Sequence, residues 1–270
     1  MTQGPSSVSF SGPPLLEERA GATALVRLNR PQAKNALSRE LVIALGQSLQ
    51  RAAYDQSIRA IVLTGNGGAF CSGVDIKEAA QDIRKSEAVA ERIDGFHAIV
   101  RAIVGAPKPV IAAVEGGAVG FGCDLALACD LRVLSESAYL QEKFVTIGLM
   151  PDGGGTFHLP RLVGMGRALE LLMLGERVPA TTAREMGLAT RVTSSEDLLQ
   201  EAMAMADKLA KSPPLALASI KHAARAALSG DFEGALQREK TGQMRLLSSK
   251  DALEGMLAFL QKRDPKFKGE

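Results

Sequence analysis

Apolar positions along the chain recur in two periods, and the period changes where glycine, proline or a capping residue stands. Residues 22–28 (ATALVRL) alternate and run into Asn29, Arg30 and Pro31, which predicts a strand ending in a turn. Ser38 then stands before Leu41, Ala44, Leu45, Leu49 and Ala52, spaced by three and four, which predicts a capped helix with one buried face. Residues 60–64 (AIVLT) and 109–114 (PVIAAV) are short continuous apolar runs, the pattern of strands covered on both faces. Each is followed by glycines and then by helical sequence, so the chain reads as an α/β protein built from a repeated strand, loop and helix.

From about residue 195 the helical period runs almost to the end, interrupted at Ser212, Pro213 and Pro214 and again at Ser229, Gly230 and Asp231. Residues 1–14, rich in Ser, Gly and Pro, read as a flexible N-terminal arm. The expected organisation is therefore an arm over 1–14, a core domain over 15–194 and a C-terminal helical region over 195–270.

Composition narrows the function. Hydrophobic residues make up 46% and charged residues 23%, the balance of a chain that folds around a core. A formal net charge of +2, with no Trp and two Tyr, supplies neither the basic field nor the stacking platforms that nucleic acid needs. Cys71, Cys123 and Cys129 lie in apolar surroundings and read as reduced core thiols. No stretch is apolar for long enough to span a bilayer, and the N-terminus lacks the basic and apolar regions of a signal peptide, so a cytoplasmic protein is expected. His97, His158 and His222 are scattered without ligand spacing, and no metal site is expected.

Two glycine-rich loops carry the candidate chemistry: residues 65–78 (GNGGAFCSGVDIKE) and 115–130 (EGGAVGFGCDLALACD). Each places backbone amides between a strand and a helix, where they can approach a ligand and favour negative charge. Such a loop needs no ligand to exist, and neither matches the phosphate-binding GxxxxGK[ST] or a dinucleotide GxGxxG in its strand–helix setting.

Taken in order, with LNRPQAKNALS at residues 28–38 and GLMPDGGGTFHLPRLVG at 148–164, the loops resemble the crotonase family of enoyl-CoA hydratases and isomerases. That resemblance implies a spiral of strand, strand and helix turns with C-terminal trimerising helices, assembled with itself as a trimer or a dimer of trimers. It implies an acyl-CoA thioester as substrate and no separate cofactor, coenzyme A being part of that substrate. It also implies an oxyanion hole made by the backbone amides of Val74 and Phe121, with Gly73, Gly120 and Gly122 as the loop glycines. Lys34, Ala36 and Lys77 match positions that contact coenzyme A. Phe259 and Lys262 match positions that reach a neighbouring subunit's coenzyme A.

The residues that would choose the reaction depart from the hydratase pattern. Asp124 holds the first carboxylate position, where it is also a favourable first-turn acid. Phe144 holds the second, and a phenyl ring can neither hold nor deprotonate water. Asp152, in the PDGGG turn, matches the acid of several family isomerases; its local alternative is a turn residue or a cap for a helix starting near Gly154. Dienoyl-CoA isomerases use Asp124-like and Asp152-like acids plus a glutamate at the place of Phe144, and Glu142 is a poor substitute by its displacement along the chain. The expected activity is an enoyl-CoA isomerase with Asp152 as proton shuttle. A hydratase using Asp124 and a catalytically weak acyl-CoA-binding protein are the alternatives.

Overall fold

The computed structural model describes residues 12–270. The arm expected over 1–14 lies outside them up to residue 11; beyond that, Asn29 donates to the carbonyls of Pro13 and Pro14 and ties the entering chain to the core.

The chain opens with strands β1 (Leu15–Ala20) and β2 (Thr23–Leu28), then helix α1 (Arg39–Tyr54) and strand β3 (Ala60–Gly65). Helices α2 (Ile76–Asp82) and α3 (Ser86–Gly105) lead to β4 (Val110–Val114), β5 (Gly117–Val119), α4 (Phe121–Ala128), β6 (Leu131–Ser135) and β7 (Tyr139–Gln141). After a 3-10 turn at Phe144–Ile147 come α5 (Gly155–Val163), α6 (Met165–Leu174), β8 (Val178–Pro179), α7 (Ala180–Glu185) and β9 (Arg191–Thr193). Helices α8 (Leu198–Ala210), α9 (Pro214–Ala227), α10 (Phe232–Leu247) and α11 (Lys250–Leu260) complete it. No helix among the described residues is long and apolar enough to cross a membrane.

Six strands form one sheet in the order β1-β2-β3-β4-β6-β9, parallel except for the β1–β2 hairpin. A second sheet has the order β5-β7-β8. Strand β4 is followed at once by β5, and β6 by β7, so each turn of the chain gives one strand to each sheet before its helix. This is the spiral that the resemblance implied.

The large sheet is apolar on both faces, which explains its uninterrupted hydrophobic runs. Ile61, Leu63, Ala112 and Val114 point toward α1 and α3, where they meet Leu41, Leu45, Phe96 and Ile99. Their alternates Ala60, Val62, Ile111 and Ala113 point the other way, onto Leu198, Ala202 and Met205 of α8. Helix α8 is thus a layer of the sheet's own core, and the division expected at residue 194 does not coincide with the end of that packing. Ser38 caps α1 as its sequence predicts, accepting from the Leu41 amide at 3.2 Å. A further break that the helical period did not reveal separates α10 from α11, where the Ser249 hydroxyl accepts from the Ala252 amide and starts a new helix.

Charge holds α9 to the core. Asp130 accepts from the Val110 amide at 2.9 Å and pairs with Lys221 at 2.7 Å and Arg225 at 2.8 Å. Lys221 also donates to the carbonyls of Ile103 and Lys108. Nearby, the buried Arg132 donates to the carbonyls of Cys129 and Leu188 and so satisfies the C-terminal end of α4. His158, on α5, lines the same cavity of about 400 Å³ between the core and α9. Burial, reinforced by the charges of Arg225, Arg132 and Arg161, pushes its imidazole down to about 4.

Asp130→Ala leaves Lys221 and Arg225 without their counter-charge in a poorly hydrated cleft, and should cost about 3 kcal/mol in a urea titration. His158 generates a pH dependence of definite sign. Its folded pKa lies below the ordinary 6.5, so the unfolded chain binds the proton first and stability is lost as pH falls through that interval toward about 4. The loss should reach up to about 3 kcal/mol, and His158→Gln should remove most of it when urea midpoints near neutral pH are compared with those near pH 4.

Candidate functional site

The two glycine loops meet as strands. Cys71 donates its amide to Gly117 and accepts at its carbonyl from Val119, at 3.1 and 2.9 Å, so loop one lies along β5. Its far side is fixed by the N-terminal turn: Leu37 donates to the Gly73 carbonyl, Asp75 donates to Leu37, and Ser72 donates to Lys34. Asn35, buried, donates to the carbonyls of Asn66 and Ala69 and accepts from the Arg30 amide. Asp75 accepts from the Glu78 amide as the cap of α2 and pairs with Arg30 at 2.9 Å. Burial alone would raise the Asp75 carboxyl, but the Arg30 hydrogen bond and charge and the α2 amides outweigh it and hold it below the ordinary value. Arg30 and Asn35 lie in the LNRPQAKNALS motif and Asp75 in loop one, but no sequence pattern assigned any of them a role; their weight is geometric.

This framework brings the Val74 and Phe121 amides side by side. A Cβ on Gly73 would fall 2.8 Å from the Val119 carbonyl oxygen and 3.5 Å from the Phe121 nitrogen, and its φ of +91° favours glycine independently. Gly122 approaches loop one so closely that a Cβ would sit 2.2 Å from the Cys71 oxygen. At Gly120 space is open, the nearest atoms being those of the Phe144 ring at 3.9 Å, but φ is +54°. Neither the Val74 nor the Phe121 amide donates a hydrogen bond among the described residues. Phe121 is the first residue of α4, so its amide also carries the positive end of that helix. Two unpaired donors at one place are suited to an oxygen that gains negative charge.

Around them stand the carboxyls. Asp152 lies in the turn before α5, half-buried, and its Oδ1 is buried without a hydrogen-bond partner among the described residues. Helix α5 starts at Gly155 and receives no side-chain cap, so the capping role considered for Asp152 is not realised. Burial raises the Asp152 carboxyl, with its own amide and the charge of His97 on α3 opposing. The residue after it, Gly153, packs against the Phe121 ring and Asp124. Phe121 in turn stacks on Phe96 of α3 at 4.4 Å between centroids, which brings α3 to this wall. His97 had no sequence pattern to mark it.

Asp124, on the first turn of α4, is fully buried and accepts the Gly153 amide at 2.8 Å. Glu142, which spacing along the chain made a poor substitute for a carboxylate at Phe144, does not substitute for it: its side chain turns inward and meets Asp124. The junction of β7 with the 3-10 turn sets that direction, a geometry neither a strand nor a helix period anticipates. Phe144 itself is buried beside Gly120 and presents no polar group.

Lys34 and Ala36 sit in the turn that braces loop one, Lys34 exposed, and Lys77 is exposed on the first turn of α2. All three therefore flank the Val74 amide. Phe259 and Lys262 are elsewhere: α11 packs on α10, where Phe259 helps line a separate cavity of about 390 Å³ with Leu246 and Phe267. The thiols of Cys71 and Cys129 are buried, and burial pushes each up to about 12, so they stay neutral.

A family model described as enoyl-CoA hydratase/isomerase matches residues 18–270. The chain is 38% identical over 255 residues to the 2,3-dehydroadipyl-CoA hydratase of Escherichia coli (strain K12), covering 94% of this chain and 98% of that protein. It is 37% identical over 250 residues to the 1,2-epoxyphenylacetyl-CoA isomerase of the same organism, covering 90% and 94%. The crystal structure of an enoyl-CoA hydratase from Polaromonas sp. JS666 matches with a TM-score of 0.90 at 38% identity, over 94% of this chain and 99% of that one. A match along almost the whole described chain, on a spiral that joins two glycine loops at a pair of free amides, establishes that this chain belongs to the enoyl-CoA hydratase/isomerase family, the crotonase superfamily.

Proposed function

We propose that the chain is an enoyl-CoA isomerase that moves a double bond between positions 3 and 2 of an acyl-CoA thioester, with Asp152 as the proton shuttle. The thioester oxygen accepts from the Val74 and Phe121 amides. As Asp152 takes a proton from C2, the electron pair moves toward that oxygen and the two amides bear the developing charge. Asp152 then returns the proton at C4, and the double bond closes between C2 and C3.

The observation that carries this reading is the inequality of the carboxyls. Asp152 is half-buried with one oxygen free of hydrogen bonds, whereas Asp124 is fully buried and bonded to the Gly153 amide, and Phe144 offers nothing. Water addition needs two groups to bracket the water, and the second is absent from the wall beside Gly120. The hydratase reading, with Asp124 acting, keeps support from relatives that bear hydratase names. A weak acyl-CoA-binding protein would need the amide pair alone.

Lys34, Ala36 and Lys77 flank the loop that carries Val74, which supports a place there for the nucleotide part of coenzyme A, whose phosphates suit lysine. Leu253, Met256, Leu257 and Leu260 are exposed on α11. They favour self-assembly as a trimer or a dimer of trimers, through which Phe259 and Lys262 would serve a neighbour's site.

Asp152→Asn should lower double-bond movement in a 3-enoyl-CoA ester by about 10²–10⁴-fold in kcat with KM nearly unchanged, while Asp124→Asn costs less. Because burial raises the Asp152 carboxyl and the base must be ionised, wild-type kcat should fall as pH drops through that raised value. A panel of 2-enoyl, 3-enoyl and dienoyl esters, followed for both water addition and double-bond movement, reads all of this. The opposite ranking, with water addition lost in Asp124→Asn, would install the hydratase reading. Separately, Gly122→Ala should cost about 10²-fold or more in kcat, because its methyl cannot coexist with the Cys71 carbonyl and must push the Phe121 amide out of place.

A further inference from the structure

Glu142 and Asp124 form an interior carboxyl pair that the reaction itself does not use. Glu142 is 3% exposed and Asp124 is fully buried. They converge on Gly155, where a Cβ would fall 2.3 Å from Asp124 Oδ1 and 3.1 Å from Glu142 Oε1. Asp124 Oδ2 is occupied by the Gly153 amide, but Asp124 Oδ1 and both Glu142 oxygens find no hydrogen bond of good geometry among the described residues, only the weakly donating Cys123 thiol lying beside Glu142. Two ionised carboxylates in that position would be desolvated, repel each other and lack hydrogen bonds. One proton between them supplies the missing donor and removes one of the charges.

We propose that Glu142 is a positioning residue for this site: sharing a proton with Asp124, it holds Asp124 against the Gly153–Gly155 turn and thereby fixes the carboxyl of Asp152, one residue upstream, beside the oxyanion amides. The proposal rests on Asp152 being the base. Its geometry is a short chain of contacts from Glu142 to Asp124, from Asp124 to the Gly153 amide, and from Gly153 to Asp152. Nothing facing the pair neutralises a second negative charge. Cys123 adjoins it from α4, Asp152 from the turn and Glu176 across a void of about 10 Å³, while His158 of α5 packs on Gly154. Burial first and mutual repulsion second push Glu142 far above the ordinary value; for Asp124 burial leads, and it too is raised.

The test uses Glu142→Gln, which keeps a donor and cannot ionise, and Glu142→Leu, which keeps bulk and removes every polar atom. On a 3-enoyl-CoA ester, the wild type should show kcat falling at alkaline pH as the shared proton is lost and the turn is driven apart. Glu142→Gln should keep kcat near neutrality within about threefold and lose that alkaline fall, while Glu142→Leu should lose about tenfold or more in kcat with KM for the thioester unchanged. An alkaline limb that persists in Glu142→Gln, or a folded Glu142→Leu with wild-type kcat, overturns the proposal. If Glu142→Leu does not fold, the Glu142→Gln profile decides.

A substrate-free measurement separates this from the isomerase reading. Groups whose folded pKa is raised make stability fall as pH rises from the ordinary carboxylate range through the raised values, because the folded chain keeps the proton longer. The thermal midpoint of the wild type, taken as its difference from that of Glu142→Gln so that His158 and the other titrating groups cancel, should therefore decline as pH rises above the ordinary carboxylate range. Equal slopes sink the shared proton. A declining difference in a protein that never moves a double bond would leave the pair standing and remove the isomerase reading instead.

Discussion

Loop one can approach β5 only because glycine stands where the two backbones touch, and almost every feature of the site follows from that contact. The reciprocal hydrogen bonds between Cys71 and the Gly117–Val119 strand set the register of residues 71–74 against residues 117–121. Register decides where the free Val74 and Phe121 amides lie, because the fold controls the positions of backbone amides and side-chain identity does not. Val74 and Phe121 are acceptable in those places for that reason. The large sheet beneath supplies rigidity: β3 and β4 are covered on both faces, so the loops that leave their ends start from fixed points.

The acids divide their tasks by depth. Asp124 and Glu142 are beyond the reach of solvent, where two charges side by side are costly, and the proposed shared proton removes one of them. Asp152 is half-buried, and burial raises its proton affinity. The turn of three glycines joins the two levels, since Gly153 donates to Asp124 below while its other neighbour is Asp152 above. No side chain is tolerated at Gly155 without displacing a carboxyl oxygen.

Much of this was legible in the sequence because it is written in short-range patterns. Ser38, the runs at 60–64 and 109–114 and the breaks at Ser212–Pro214 and Ser229–Asp231 each depend on neighbours a few residues away, and the elements form where those patterns put them. The glycine loops marked the amides through their resemblance. What stayed hidden depends on direction in space. Glu142 leaves a strand and enters a 3-10 turn, so no period assigns its side chain a face. His97 acts on Asp152 through its charge, from a helix that the stacking of Phe96 on Phe121 holds against this wall, a contact across residues far apart in the chain. Helix α8 looks like part of a helical tail by composition, and only the alternate residues of the sheet show that it closes the core.

The choice between adding water and moving a double bond then becomes a question of how many polar groups face the substrate, not of how many acids the chain contains. Three carboxyls gather within one turn of α4 and the loop before α5, a number that would satisfy a hydratase. Two of them, Asp124 and Glu142, are buried side by side, and Asp124 also accepts from the Gly153 amide. The remaining wall at Gly120 is the Phe144 ring, which excludes water and has no lone pair to orient it. A dry wall of that kind would protect an enolate from protonation by solvent, which suits the proposed return of the same proton by Asp152. Burial of the acids and the apolar substitution at Phe144 act in the same direction, both toward the proposed site with one base and one pair of oxyanion donors.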